Sequence, residues 1–160
     1  MGGDSPCDFD RDYYAWTQDQ ARILRALTET MPDTPLDGQH LADEIEGLGL
    51  AERQRLFEAL ELSLVALLKL ENSAARAPRQ GWRNLLAVER RRVQRILRIS
   101  PSLAFTPDLD ELFQSARLIA AAELAREGGF DGALPSHTPY TLRQILDDGF
   151  VPDNRHGVAS

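Results

Sequence analysis

The chain has 160 residues, of which 42% are hydrophobic and 27% are charged, and its formal net charge is −7. This length and balance are typical of one globular domain with its own core. The negative charge disfavours a nucleic-acid partner, because proteins that bind nucleic acid gain affinity by neutralising phosphates. No apolar run approaches the roughly 18 residues of a membrane span. We therefore expect a cytoplasmic protein with no membrane or nucleic-acid partner.

The predicted elements begin after a flexible leader at residues 1–8. Apolar side chains then recur at helical spacing over residues 13–27, and the prolines of residues 31–35 end this first helix. Asp37 is a good cap for a second, shorter helix, and the glycines of Gly47–Gly49 are expected to weaken or bend it.

A third predicted helix runs from about Ala51 to Asn72. Between Leu60 and Leu70 it is apolar on almost every side, which is typical of a helix surrounded by other helices. We therefore predict that it is the central element of the fold. A fourth helix starts near Trp82 and ends before Ser100–Pro101, because proline restrains the residue that precedes it.

The fifth helix has a start signal at Thr106–Asp108 and an end signal at Gly128–Gly129. The pair Thr141 and Gln144 forms a capping box that opens a short sixth helix, and residues 153–160 are expected to be a frayed tail. No segment alternates as a half-buried strand does. The sequence thus predicts an all-α, single-domain bundle of five to six helices over residues 9–152, with a long central helix.

Short motifs follow one another in a fixed order along the chain. They are DYYAW at Asp12–Trp16, LADEIEGLG at Leu41–Gly49, LLK at Leu67–Lys69, SPSL at Ser100–Leu103, and PY at Pro139–Tyr140 with QILD at Gln144–Asp147. With these motifs the chain resembles the bacterial "domain of unknown function 29" family over roughly residues 9 to 152. The resemblance implies one complete all-helical domain. It implies no activity, since the family name records that none has been assigned.

Charged side chains interrupt the apolar stripes of several helices. Glu89 and Glu123 each lie in the middle of a stripe, and Glu44 lies at the edge of another. A buried carboxylate is costly unless it is paired or protonated. The candidate partners are the Tyr or Trp donors near the N-terminus and the cations Lys69, Arg90, Arg92 and Arg117. Two interpretations stay open. The three glutamates line a polar pocket, or they are paired core carboxylates that fix the register of the helices.

A metal site is the sharpest form of the polar-pocket hypothesis. Di-iron helical bundles combine glutamates with Glu-x-x-His pairs, but none of His40, His137 and His156 lies three residues after a glutamate. Members of the resembled family often have a histidine before the LLK motif, where this chain has Ala66. We therefore predict no metal ion and no cofactor.

A basic run on the fourth helix is a second candidate site. Arg91, Arg95 and Arg98 fall together opposite the apolar stripe and form a candidate basic face. The face is either an ordinary solvated surface or a patch that binds an anion or an acidic partner.

No Ser-His-Asp set, P-loop or GxGxxG motif is present. The amphipathic helices and the lack of a catalytic constellation favour a non-catalytic module that binds an unidentified protein partner. The alternative is an enzyme or small-ligand binder that uses the polar pocket. Apolar residues outside the main stripes, at Tyr14, Val88, Ile99 and Leu118, further predict self-association as a symmetric homodimer.

Overall fold

A computed structural model of the chain describes residues 8–31, 33–128, 130 and 132–158. The α-helices of this part of the chain are α1 (Tyr13–Thr30), α2 (Gly38–Asn72), α3 (Arg79–Ile99), α4 (Leu109–Glu127) and α5 (Leu142–Leu146), and a 3-10 helix (Pro101–Phe105) follows α3. No strand occurs among these residues, which confirms the all-α prediction. Most of the predicted leader, residues 1–7, lies outside the described residues.

The long helix α2 differs from the sequence-based prediction. The two helices expected on either side of Gly47–Gly49 are one continuous helix of 35 residues. A glycine inside a helix costs roughly 1 kcal/mol relative to alanine, which tertiary packing readily outweighs. The predicted break was therefore wrong, because packing at Gly49 decides the conformation of this segment.

Small residues let α1 and the first half of α2 pack closely and antiparallel. A Cβ atom added at Gly49 would lie 2.1 Å from Oγ1 of Thr17, and one added at Gly38 would lie 2.0 Å from Oγ1 of Thr28. The two contact positions have the same spacing in both helices, 17 to 28 and 38 to 49. The fully buried alanines between them are Ala21 and Ala42.

The start of α1 is attached to the segment that follows α3. Asp12 caps α1 by accepting a hydrogen bond from the backbone N–H of Ala15. The same carboxylate accepts from the backbone N–H of Ser102 at 2.8 Å and from its hydroxyl at 3.0 Å. The hydroxyl of Ser100 in turn accepts from the backbone N–H of Tyr14 at 3.2 Å. The DYYAW and SPSL motifs therefore meet and join two segments that are distant in sequence.

The described chain divides into two compact units. The first consists of the described residues within Met1–Leu56 and Arg95–Thr106, and the second consists of those within Phe57–Gln94 and Pro107–Ser160. The prediction of one domain over residues 9–152 stays a prediction. None of the described helices is long and apolar enough to cross a membrane.

The core of the second unit surrounds α2. All of residues 63–70 are buried, which agrees with the prediction of a long central helix that is covered on every side. The largest fully buried side chains that other helices contribute to this unit are Leu86, Val93, Phe113, Leu124 and Ile145.

The C-terminal tail differs from the expectation of a frayed end at residues 153–160. The side-chain Nδ2 of Asn154 donates to the carbonyl oxygens of Leu70 at 2.8 Å and Glu71 at 3.2 Å. The backbone N–H of Arg155 donates to the carbonyl oxygen of Glu71 at 2.9 Å. The last carbonyls of a helix have no partner within it, and the tail supplies one here. The expectation was therefore wrong for the described part of the tail.

We expect opposite effects from adding the same methyl group at two glycines of α2. Gly49→Ala should destabilise the fold by about 1–3 kcal/mol, because the new Cβ collides with Thr17. The hydroxyl of Thr17 donates to the carbonyl of Tyr14 at 2.7 Å, which limits its room to move. Gly47→Ala should stabilise the fold by about 0.5–1 kcal/mol, since its Cβ meets no atom and alanine favours the helix. Urea-unfolding midpoints measure both effects, and equal shifts would contradict the proposed close approach.

Candidate functional site

The only lysine of the chain, Lys69, lies in the last turn of α2 with just 5% of its side chain exposed. Its Nζ donates to Oε2 of Glu123 and to Oε1 of Glu127, each at 2.7 Å. The same ammonium lies 4.8 Å from the ring centre of Trp82. We call these four residues the Lys69 cluster.

The helices place this cluster by simple geometry. Glu123 and Glu127 are four residues apart on α4, so their side chains lie on the same face and reach the same cation. Trp82 lies in the first turn of α3 and covers the ammonium with an aromatic face, which attracts cations. The sequence indicated Lys69 and Glu123 but missed the other two residues. The i, i+4 spacing of the two glutamates was the signal for Glu127.

The Lys69 cluster has the chemistry of a structural ion pair. The ammonium is buried, whereas the side chains of Glu123 and Glu127 are 34% and 32% exposed. Two charge-assisted hydrogen bonds offset the cost of removing the cation from water.

Glu89 is buried, as its position in the middle of an apolar stripe predicts. Its side chain is 8% exposed, and its Oε2 lies 3.6 Å from Nη1 of Arg92, one turn along α3. That oxygen is buried and has no hydrogen-bond partner in the described part of the chain. Buried carboxylate oxygens usually have such a partner, so Glu89 is the least satisfied member of the predicted polar pocket.

Arg90 contacts the C-terminal end of α5 instead of a carboxylate. Its Nε donates to the carbonyl of Ile145 at 2.6 Å, and its Nη2 donates to the carbonyls of Gln144 at 3.1 Å and Phe150 at 2.8 Å. Burial lowers the pKa of Arg90, and the nearby charge of Asp148 partly opposes that effect. A buried guanidinium therefore satisfies carbonyls that α5 leaves without partners.

The remaining member of the predicted pocket, Glu44, is exposed on α2 and belongs to the first unit. Glu89 and Glu123 belong to the second unit. Within the described residues, no hydrogen bond or ion pair joins Glu89 to Glu123 or to Lys69. The structure thus pairs Lys69 with Glu123 and gives Glu89 and Arg90 separate partners.

A second buried polar contact was not anticipated from the sequence. The hydroxyl of Tyr140 donates a short hydrogen bond to Oε2 of Glu71, and Oε1 of Glu71 pairs with Nη2 of Arg155 at 3.3 Å. Burial, and then the hydrogen bond to Glu71, raise the pKa of Tyr140 above its ordinary value. Tyr140 belongs to the PY motif, whose role the sequence pattern alone does not reveal.

The candidate basic face is exposed, as its position opposite the apolar stripe predicts. Arg91, Arg95 and Arg98 are exposed on α3. None of the ion pairs formed by the described residues includes any of the three. Their positive charge is therefore not neutralised by direct contact with a carboxylate in this part of the chain.

The described residues contain no group of three or more His, Cys, Asp or Glu side chains placed to hold a metal ion. One of the two Asp-x-x-His spacings of the sequence, Asp37 with His40, instead forms a local pair at the start of α2. Oδ1 of Asp37 accepts from the backbone N–H of His40 at 3.2 Å, and its Oδ2 lies 2.6 Å from Nδ1 of the same residue. Asp37 thus caps the helix, as the sequence predicts.

The structure defines an all-helical protein with ion-paired buried side chains. Comparisons with known proteins identify its family. The chain belongs to the family of the domain of unknown function DUF29, whose family model matches residues 9–151. This membership confirms the resemblance carried by the sequence motifs.

The fold is similar to that of a solved structure, an alpha-helical protein of unknown function from Rhodospirillum rubrum. The TM-score is 0.80, with 24% identity over 91% of this chain and 93% of that one. At this identity the likeness shows the fold alone. No curated protein matches the chain.

We expect the Lys69 cluster to respond unequally to the loss of its two charges. Glu123→Gln/Glu127→Gln leaves the buried ammonium without an anion and should cost about 3 kcal/mol or more. Lys69→Met should cost less than about 2 kcal/mol, because methionine packs against Trp82 and the partly exposed glutamates regain water. Urea unfolding of the three proteins measures the difference. A larger loss for Lys69→Met would show that the ammonium is not the buried charge that needs compensation.

The Asp37–His40 pair should be visible in a pH titration. The hydrogen bond to Asp37 raises the pKa of His40 above 6.5, and the same contact lowers the pKa of Asp37. Because the folded-state pKa of His40 is raised, its stabilising effect is present below the unfolded pKa and is lost as pH rises through the folded value.

NMR titration should give His40 a midpoint above 6.5, and Asp37→Asn should bring that midpoint back toward the ordinary value. Asp33→Asn removes the same charge nearby and is the control. The pairing would be excluded if Asp37→Asn and Asp33→Asn shifted the His40 midpoint equally.

Proposed function

We propose that this protein is a non-catalytic interaction module of the bacterial cytoplasm, and that it binds proteins, including a second copy of itself, through its first unit. The observation that carries this proposal is the apolar surface of that unit. Its exposed large hydrophobic residues are Phe9, Leu27, Met31, Leu36, Leu41, Leu48, Leu50, Ile99 and Phe105. Among the described residues of the second unit, only Val88 and Leu118 are exposed to a similar degree.

The α2 helix shows why these side chains are left uncovered. Gly38, Ala42 and Gly49 lie on the side of α2 that packs against α1. Leu41 and Leu48 are two turns apart and therefore share another side of the helix, roughly 100° from the first. They are 43% and 54% exposed. A single exposed leucine needs no explanation, but a concentration of apolar side chains in one unit is typical of an interaction site.

The polar side chains support a binding role more than a catalytic one. Lys69 is neutralised by two carboxylates, and Arg90 binds backbone carbonyls. The alternative, an enzyme or small-ligand binder that uses Glu44, Glu89 and Glu123, has less support, because these glutamates have different surroundings. Glu44 is exposed, Glu89 is buried beside Arg92, and Glu123 pairs with Lys69.

Sedimentation equilibrium tests the proposal with a matched pair of variants. The monomer mass is 17.9 kDa, and the unaltered chain should reach twice that mass at micromolar concentration. Leu41→Gln/Leu48→Gln should weaken the dimer at least tenfold, because it removes apolar area from the proposed contact. Val88→Gln/Leu118→Gln removes comparable exposed side chains from the second unit. The sequence pattern counted both residues among the candidates for self-association, but the proposed contact lies in the first unit, so this variant should leave the dimer unchanged.

Two results would reject the proposed surface. The first is a dimer that Val88→Gln/Leu118→Gln breaks and Leu41→Gln/Leu48→Gln does not. The second is an unaltered chain that stays monomeric and also captures the same proteins from a cell extract as the Leu41→Gln/Leu48→Gln variant.

A further inference from the structure

The helix α3 concentrates positive charge in an acidic chain. It carries seven arginines and one glutamate, a local net charge of +6, whereas the whole chain has a net charge of −7. Elsewhere in the described chain several arginines pair with a carboxylate, such as Arg22 with Asp19, Arg25 with Asp43 and Arg55 with Glu52. On α3 the one described ion pair joins Arg92 to Glu89. The positive charge of this helix is therefore largely uncompensated.

Three of these arginines line a cavity of about 370 Å³ within the second unit. Arg83, Arg90 and Arg91 lie along one side of α3, and Asp148 and Val151 of the C-terminal segment form the opposite wall. Leu86 and Ala87 complete the lining. Pockets that bind small molecules have this size and combine apolar walls with a few converging polar groups. We call this cavity the arginine groove.

Arg90 is the fixed member of the arginine groove. It is 2% exposed, and three backbone carbonyls hold its Nε and Nη2. Its Nη1 makes no hydrogen bond with the described residues, and no carboxylate lies within 4.0 Å of the guanidinium among them. Arginine stays protonated in proteins, so this buried cation gains no relief by losing a proton. An anion in the groove would compensate it.

Asp148 adds a requirement for the ligand. Its carboxylate oxygens lie 3.4 Å from Nε2 of Gln94, at the outer limit of a hydrogen bond, so both oxygens can accept a better donor. A bare anion placed against Arg90 would be repelled by this carboxylate. A ligand that carries a hydroxyl or amino group beside its anionic group meets both charges.

We propose that the arginine groove binds a small phosphate ester that also carries an amino or hydroxyl group. The planar guanidinium groups match the oxygen geometry of a phosphate, and three of them suit a dianion better than a carboxylate, which one arginine satisfies. The phosphate contacts Arg83, Arg90 and Arg91, and the amino or hydroxyl group donates to Asp148. The carbon atoms of the ligand lie against Leu86 and Val151. The lining of this site belongs to the second unit, whereas the surface proposed for protein binding belongs to the first unit.

Isothermal titration calorimetry at constant ionic strength tests the proposal with two probes, O-phosphoethanolamine and inorganic phosphate. The intact chain should bind O-phosphoethanolamine saturably at one site and more tightly than inorganic phosphate, because only the ester offers an amine to Asp148. Failure of both probes to bind saturably at millimolar concentration would overturn the proposal.

Two double variants separate a built site from general charge attraction. Arg83→Gln/Arg91→Gln removes two positive charges that line the groove, and it should weaken binding of O-phosphoethanolamine at least tenfold. Arg95→Gln/Arg98→Gln removes the same charge from the same helix at residues that do not line the groove. It should change the affinity by less than twofold. Equal losses in the two variants would show that α3 attracts anions only through its overall charge.

Asp148→Asn tests the second contact. The affinity for inorganic phosphate should rise, because a like charge is removed from the groove. The affinity for O-phosphoethanolamine should fall, because its amine loses its anionic partner. Parallel changes for the two probes would overturn the assignment of Asp148. Circular dichroism of each variant checks that its helices are intact. The substituted arginines make no described hydrogen bond or ion pair, so their replacement should leave α3 folded.

Discussion

The last turn of α2 is the place on which the second unit depends. The carbonyl groups at the end of a helix have no partners within that helix, and at a buried end the protein itself must supply them. Here the carbonyl of Leu70 accepts from Nη1 of Arg79 at 3.0 Å and from Nδ2 of Asn154 at 2.8 Å. Lys69, one residue earlier, requires the two carboxylates of α4. The last turn of α2 thus contacts three other segments, which are the start of α3, the end of α4 and the C-terminal tail.

The sequence motifs gain a physical meaning in this structure. Residues of several of the family's motifs form contacts between segments that are distant in sequence. Asp12 joins α1 to Ser102, Lys69 joins α2 to α4, and Tyr140 joins the linker before α5 to Glu71. Two groups of described side chains lie outside these contacts. They are the exposed apolar side chains of the first unit and the arginines Arg91, Arg95 and Arg98 of α3, which form none of the ion pairs in the described part of the chain.

The sequence allowed much of the fold to be predicted, because hydrophobic periodicity and capping residues act locally. The capping box of Thr141 and Gln144 and the helix end at Gly128 are as expected. Gly49 shows the limit of such local signals. A glycine that ends a helix and a glycine that lets a neighbouring helix approach closely cannot be told apart from the sequence alone. The sequence named Glu123 as a carboxylate that needs a partner and Lys69 as one of several candidate cations, and the structure pairs these two. Glu127 and Trp82 complete the cluster only through tertiary contact.

By itself, then, the sequence determined the all-helical class, the buried stretch at the end of α2 and the outward position of Arg91, since each depends on the order of apolar and polar residues along one helix. Only the tertiary structure decided which charges meet. A buried carboxylate in an apolar stripe needs a cationic partner, but which cation fills that role depends on which helix lies opposite the stripe. Arg90 shows the same limit, because its partners are backbone carbonyls and a carbonyl is present at every residue. Sequence periodicity carries no information about which carbonyls a fold leaves without a partner, because that depends on where helices end and what covers them.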